Sequence, residues 1–193
     1  MSMKGMRAMY NAYKTYPCFY FMNSPRYNPH ITYNTCRTYP CPYYMSTSRY
    51  NSEIELKDYG TEPFVVNIEE ATKQNNTYRT ALWTGTHLQL TLMSIKVGED
   101  IGLEVHPNLD QFIRIEEGQG LVKMGDSENN LDFQRKVHDD FAFIIPAGKW
   151  HNLINTGNKP IKLYSIYAPP EHPHGTVHET KAIAEAAENN EDH

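Results

Sequence analysis

From about residue 59 the chain alternates short apolar runs with turn-forming residues. His87 to Val97 alternates strictly, with Leu88, Leu90 and Leu92 on one side and Gln89, Thr91 and Met93 on the other. That period of two predicts a half-buried strand. Pro63 to Ile68 and Thr80 to Thr84 also read as short strands, with a helical turn between them over Glu69 to Gln74 that carries acidic residues at its start. Further strands are predicted over Ile101 to His106, Gln111 to Glu117, Leu121 to Met124, Leu131 to Val137, Phe141 to Ile145, His151 to Asn155 and Ile161 to Tyr167. Turn signals separate them, among them Glu117-Gly-Gln-Gly120, Gly125-Asp-Ser-Glu-Asn-Asn130 and Asn155-Thr-Gly-Asn158. Many short strands and almost no helix predict an all-β sandwich or barrel. Thr180 can cap a short C-terminal helix over Lys181 to Glu188, with a frayed end.

Strand parity selects the side chains that share an interior. If Gln111 points inward, so do Ile113 and Ile115, whereas Arg114 points out; if His151 points inward, Leu153 and Asn155 follow. Glu104 and His106 are two apart and leave the same face of one strand, so both reach a single ion, with Gln111 and His151 supplied by neighbouring strands. The expected site holds one divalent metal (Zn, Mn or Fe) between two imidazoles, one carboxylate and one amide oxygen. Parity places no Arg or Lys beside it; Arg114, Lys123 and Lys162 reach it only if bulges shift the register. Tyr164 and His87 are the candidates for a proton-transferring group near the mouth. His172, His174 and His178 fall within seven residues on a Pro- and Gly-containing stretch, which reads as a lid or subunit-contact loop more readily than as a second metal site.

Two segments carry a resemblance. Gly98, His106 and Gly118 match the first of the paired motifs of the cupin superfamily, and Pro146, Gly148, His151 and Asn155 match the second. The resemblance spans about residues 61 to 177. It implies a double-stranded β-helix, or jelly-roll barrel, over 57–179, followed by the helix of 180–193. Three positions depart from the family pattern: Glu104 stands for a His, Gln111 for a Glu, and Asp140 for the opening Gly of the second motif. One carboxylate is therefore kept and one imidazole lost. The ligand set Glu104, His106, Gln111 and His151 is similar to the zinc set of cupin-type mannose-6-phosphate isomerases, with Glu and Gln exchanged. What the resemblance implies is a metal-dependent enzyme acting on a small polar molecule such as a sugar, with isomerisation ahead of dioxygenation, or else a non-catalytic binding or coat protein. It also implies a homodimer.

Composition separates residues 1–56 from the rest. They hold ten of the fourteen Tyr, all three Cys and five of the twelve Pro. Six Lys and Arg against two Glu leave this segment at +4, while twelve against twenty-one leave the remainder at −9. With neither helical period nor sustained alternation, it reads as an irregular tail. Its composition resembles the Tyr-rich segments of bacterial spore-coat proteins, which would associate it with a protein layer. Cys18, Cys36 and Cys41 are expected to be reduced. The overall charge of −5 gives no electrostatic case for nucleic acid, and no run of 18 apolar residues suggests a membrane span. The start lacks the apolar core of a secretory signal, so a cytoplasmic location is expected.

Overall fold

The structure is a computed structural model and describes residues 53–191. The expectations for the Tyr-rich segment therefore lie, up to residue 52, outside the described residues. Ten strands follow in order: β1 Arg79–Thr84, β2 Gln89–Ile95, β3 Glu104–Val105, β4 Asp110–Glu117, β5 Gln119–Gly125, β6 Phe133–His138, β7 Ala142–Ile145, β8 Trp150–Asn155, β9 Ile161–Ala168 and β10 Val177–His178. Helix α1 (Ile68–Gln74) precedes them and α2 (Lys181–Glu191) ends the fold. Every pairing is antiparallel. One sheet has the order β10-β1-β2-β9-β4-β7 and the other β3-β8-β5-β6. The all-β jelly-roll expectation holds.

The two sheets face each other across one apolar core. Met93, Ile95, Ile113, Ile115, Ile161 and Leu163 come from the first, and Val122, Val137 and Leu153 from the second. Parity along β4 and β8 is as expected: Gln111, Ile113 and Ile115 are buried, as are His151, Leu153 and Asn155.

In β2 the alternation has a different meaning. Gln89, Thr91 and Met93 face the barrel interior, while Leu90 and Leu92 lie under a second apolar cluster on the outer face. That cluster is built by Ile54, Leu56, Tyr59, Phe64, Val66 and Ile68, so the strand is covered on both sides rather than half-buried. The same segment corrects a second expectation, because Pro63 to Ile68 joins no sheet. It crosses the outer face while β10 takes the edge of β1, and just ahead of it the Tyr59 N–H donates to the Leu82 carbonyl at 2.9 Å. Asn67 then caps α1, its side-chain oxygen accepting from the Glu70 N–H.

The strand expected over Ile101 to His106 shortens to Glu104–Val105. Gly102 has φ +90°, and its N–H is drawn to Asp100 Oδ1 at 2.8 Å, which makes a turn of the preceding residues. The terminal helix forms as expected and is extended to Glu191. The Ile183 N–H points to Thr180 Oγ1 at 3.4 Å, and Ala184 inserts into the core. Among the described residues no helix is long and apolar enough to cross a membrane.

Leu153 lies at the centre of the interface between the sheets with no solvent exposure, whereas Phe133 on β6 is 45% exposed. Leu153→Ala is expected to destabilise the fold by about 2–5 kcal/mol and Phe133→Ala by less than about 1 kcal/mol. Urea unfolding midpoints check this; equal midpoints for the two variants would contradict the core assignment.

Candidate metal centre

The two sheets bring their polar interior residues together at one end of the barrel. In the four-stranded sheet Glu104 on β3 lies directly opposite His151 on β8. In the six-stranded sheet Gln111 on β4 lies opposite Tyr167 on β9, which in turn lies opposite Gln89 on β2. His106 follows β3 and is held by the turn of the other motif, whose Gly148 N–H donates to the His106 carbonyl at 2.8 Å. Gly148 has φ +79°, a conformation that a side chain disfavours, so the glycine is needed for this tie. Asp140, in place of the glycine usual in the cupin pattern, also takes a left-handed conformation at φ 69°. Its carboxylate accepts from Arg114 at 2.9 Å, so the substitution keeps the turn.

Glu104, His106 and His151 each offer a ligand atom, and these atoms all lie within 4.8 Å of one another. Glu104 Oε1 is 3.1 Å from His151 Nε2 and 3.4 Å from His106 Nε2. The two imidazole centroids are 5.4 Å apart. The outer nitrogens are both engaged. His151 Nδ1 lies 3.0 Å from the Lys149 carbonyl, and His106 Nδ1 lies 3.1 Å from Glu171 Oε1. A carbonyl and a carboxylate only accept, so each Nδ1 carries the hydrogen and each Nε2 is left to face the carboxylate of Glu104. Neutral imidazoles would then present lone pairs to an anionic oxygen. Positive charge is required between them, as protons on the rings or as one metal ion.

The protein's own electrostatics register this demand. Burial pushes the Glu104 carboxyl up, but the imidazoles of His106 and His151 outweigh it and hold the group well below the usual carboxylate range. Burial likewise opposes charge on His106, yet the adjacent carboxylates of Glu104 and Glu171 raise it to about 9. Two buried atoms lack a hydrogen-bond partner in the way a cation site would leave them: His106 Nε2 and Gln111 Oε1. Gln111 is 1% exposed and its amide nitrogen donates to Ser165 Oγ at 3.0 Å, which leaves the oxygen as the available end. The donor set of imidazole nitrogen, carboxylate and amide oxygen fits a divalent ion of the zinc, manganese or iron kind.

The other candidates fall elsewhere. Tyr164 is on the outer face of the six-stranded sheet, opposite Leu92 and packed in the outer cluster, because its parity is opposite to that of Ser165 and Tyr167. His87 is exposed in the β1–β2 turn. His172, His174 and His178 do not converge. His172 rests edge-on against Tyr167 with ring centroids 5.1 Å apart, while exposed His174 meets the Gly60 carbonyl at 3.1 Å. Among the described residues Glu104, His106 and His151 form the one group of three that can hold an ion. Sequence reasoning missed Glu171, Tyr167 and Arg79. Tyr167 was legible from the alternation along β9 that turns Ile161, Leu163, Ser165 and Tyr167 to one face. Glu171 sits in an irregular loop with no period to read, and Arg79 precedes the strand expected from Thr80.

With this geometry in place, similarity to known proteins becomes informative. Residues 91–167 match the cupin domain family. The chain is 73% identical over 133 residues to YrkC of Bacillus subtilis, covering 69% of this chain and 72% of YrkC. It is 44% identical over 115 residues to protein L612 of Acanthamoeba polyphaga mimivirus, covering 59% of this chain and 70% of that one. The crystal structure of BH2720 from Bacillus halodurans is 71% identical and superposes with a TM-score of 0.67, covering 67% of this chain and 98% of BH2720. The chain belongs to the cupin superfamily.

Glu171 holds the Nδ1–H of His106, and such outer partners set ring orientation and ligand basicity. Glu171→Ala is expected to weaken zinc binding by about 10–100-fold without unfolding the protein. Competition titration with a chromogenic chelator measures it; unchanged affinity would remove Glu171 from the site.

Proposed function

We propose that this chain is a metal-dependent cupin enzyme acting on a small polar molecule, in which Glu104, His106, Gln111 and His151 hold one divalent ion. The observation that carries the reading is the convergence of two Nε2 atoms and one carboxylate oxygen within 4.8 Å, with both Nδ1 atoms committed elsewhere. When bound, such an ion supplies Lewis-acid polarisation of a substrate carbonyl or hydroxyl oxygen. The residues around it bind, orient and handle protons. Tyr167 lies edge-on to His106 with centroids 5.7 Å apart, forming an aromatic wall. Glu171, with a side chain 35% exposed, is a carboxylate outside the ligand set that can exchange protons with solvent while bonded to His106.

Aldose–ketose isomerisation of a sugar-like substrate is the reaction class we favour, because it needs a polarised carbonyl and a proton carrier and no further cofactor. Dioxygenation is the second reading. Two imidazoles and one carboxylate are the protein ligands used by non-haem iron oxygenases, and that set is present here without Gln111. A homodimer remains an expectation of this proposal; attachment to a protein layer through residues 1–56 belongs to the alternative of a non-catalytic binding or coat cupin.

His106→Ala and His151→Ala are each expected to abolish stoichiometric metal binding while the circular-dichroism spectrum stays that of a β protein. Elemental analysis of the dialysed variants checks this. Full metal content in both would sink the assignment of the site.

A further inference from the structure

Arg79 is a buried cation that neither the core nor the metal ligands explain. Its side chain is 2% exposed, and it lies directly opposite Met93, a residue of the inner core, so it enters the barrel rather than the solvent. Nη1 donates to Glu188 Oε1 at 2.9 Å, but Glu188 stands on α2 with a side chain 51% exposed. Nε is buried without a hydrogen-bond partner. The guanidinium lies 5.6 Å from the Tyr78 ring centroid. Along the interior face of β2, Thr91 and Gln89 follow Met93 towards Tyr167, whose ring meets both His172 and His106, and the charge of Arg79 bears on Tyr167, Glu104 and His172.

Two more interior atoms lack hydrogen-bond partners: Thr91 Oγ1 and His172 Nε2. His172 is held deliberately, since Gln89 both accepts from its backbone N–H at 3.0 Å and donates to its carbonyl at 2.8 Å. Burial, with Arg79 adding to it, lowers this imidazole to about 3, so it is a neutral hydrogen-bonding group at ordinary pH. A buried guanidinium, a hydroxyl and a neutral imidazole, each with an unused polar atom, make a costly interior unless something binds there. A guanidinium is suited to a carboxylate, which it meets through paired N–H bonds.

We propose that Arg79, with Thr91 and His172, forms an anion subsite that takes the carboxylate of a small organic acid whose other oxygens reach the metal centre. This rests on the metal reading above and narrows its substrate class to a polar molecule bearing an anionic group. Glu188 competes for the same guanidinium from the solvent side, so part of the subsite's charge is already occupied in the resting protein.

The test uses the full chain loaded with zinc, with malonate as the probe and neutral malonamide as the control, both followed by calorimetry. Malonate is expected to bind, and Arg79→Met to weaken it about tenfold or more with zinc content unchanged. Malonate binding equally well to wild type and Arg79→Met, or no better than malonamide to wild type, would overturn the proposal. Should Arg79→Met fail to fold, Glu188→Gln decides. Removing the competing carboxylate from an exposed position is expected to tighten malonate severalfold, and an unchanged affinity would show that Arg79 only clamps the helix. Zinc content is measured in every sample. Its absence from the wild type sinks the metal reading alone, and the malonate comparison between wild type and variants still tests the subsite.

Discussion

Two imidazoles turned so that their Nε2 atoms face a single carboxylate cannot stand in a barrel without positive charge between them. Most of the local architecture serves that arrangement. The Lys149 carbonyl and the Glu171 carboxylate fix the hydrogen on each Nδ1, and the Gly148 N–H ties the turn between β7 and β8 to the backbone of His106. The opposite sheet contributes Gln111, whose amide is oriented by Ser165. Positioning from two sheets at once is what a jelly roll offers, because its strand ends converge at the mouth while the aliphatic core below remains rigid.

Beneath the mouth, packing decides which polar groups survive burial. Ile113, Ile115, Leu153 and Leu163 fill the lower barrel completely. The mouth instead retains Gln89, Gln111 and Tyr167, with Thr91 and Arg79 further in, all at 2% exposure or less. Polar groups in such a place are destabilising unless partnered. The concentration of Gln89, Gln111 and Tyr167 at the end that carries the His–Glu cluster makes function the better explanation than stability. The N-terminal body segment from Ile54 to Ile68 has the opposite role: it shields the outer face of β1 and β2, so the strands of the site are supported from both sides.

Much of this was legible in the sequence. Period-two patterning located nine of the ten strands within a few residues, and parity oriented Gln111 and His151 correctly. The spacing of Glu104 and His106 singled out two of the three residues that form the group able to hold an ion among the described residues, even though the first motif departs from the family pattern. The failures have physical causes. Pro63 to Ile68 is apolar enough for a strand, but periodicity reports burial rather than ladder pairing, and this segment packs Phe64, Val66 and Ile68 against a face while Val65 is exposed. Tyr164 was offered near the mouth without a spacing argument, and its parity sends it outside while Tyr167 turns inside. Arg79 was invisible because a charged residue at the start of a strand looks like a boundary, and only the pairing with Met93 shows that it enters the core. Glu171 reaches His106 across a loop, and loops have no period from which such a contact is read.

The most direct test of the central claim is the metal content of the tag-free protein by elemental mass spectrometry, after exposure to zinc, manganese and ferrous iron in turn and dialysis. About one divalent ion per chain is expected for at least one of these metals. No bound metal under any of the three loadings would contradict it, and would leave the facing imidazoles and carboxylate as a proton-bound cluster without a metal role.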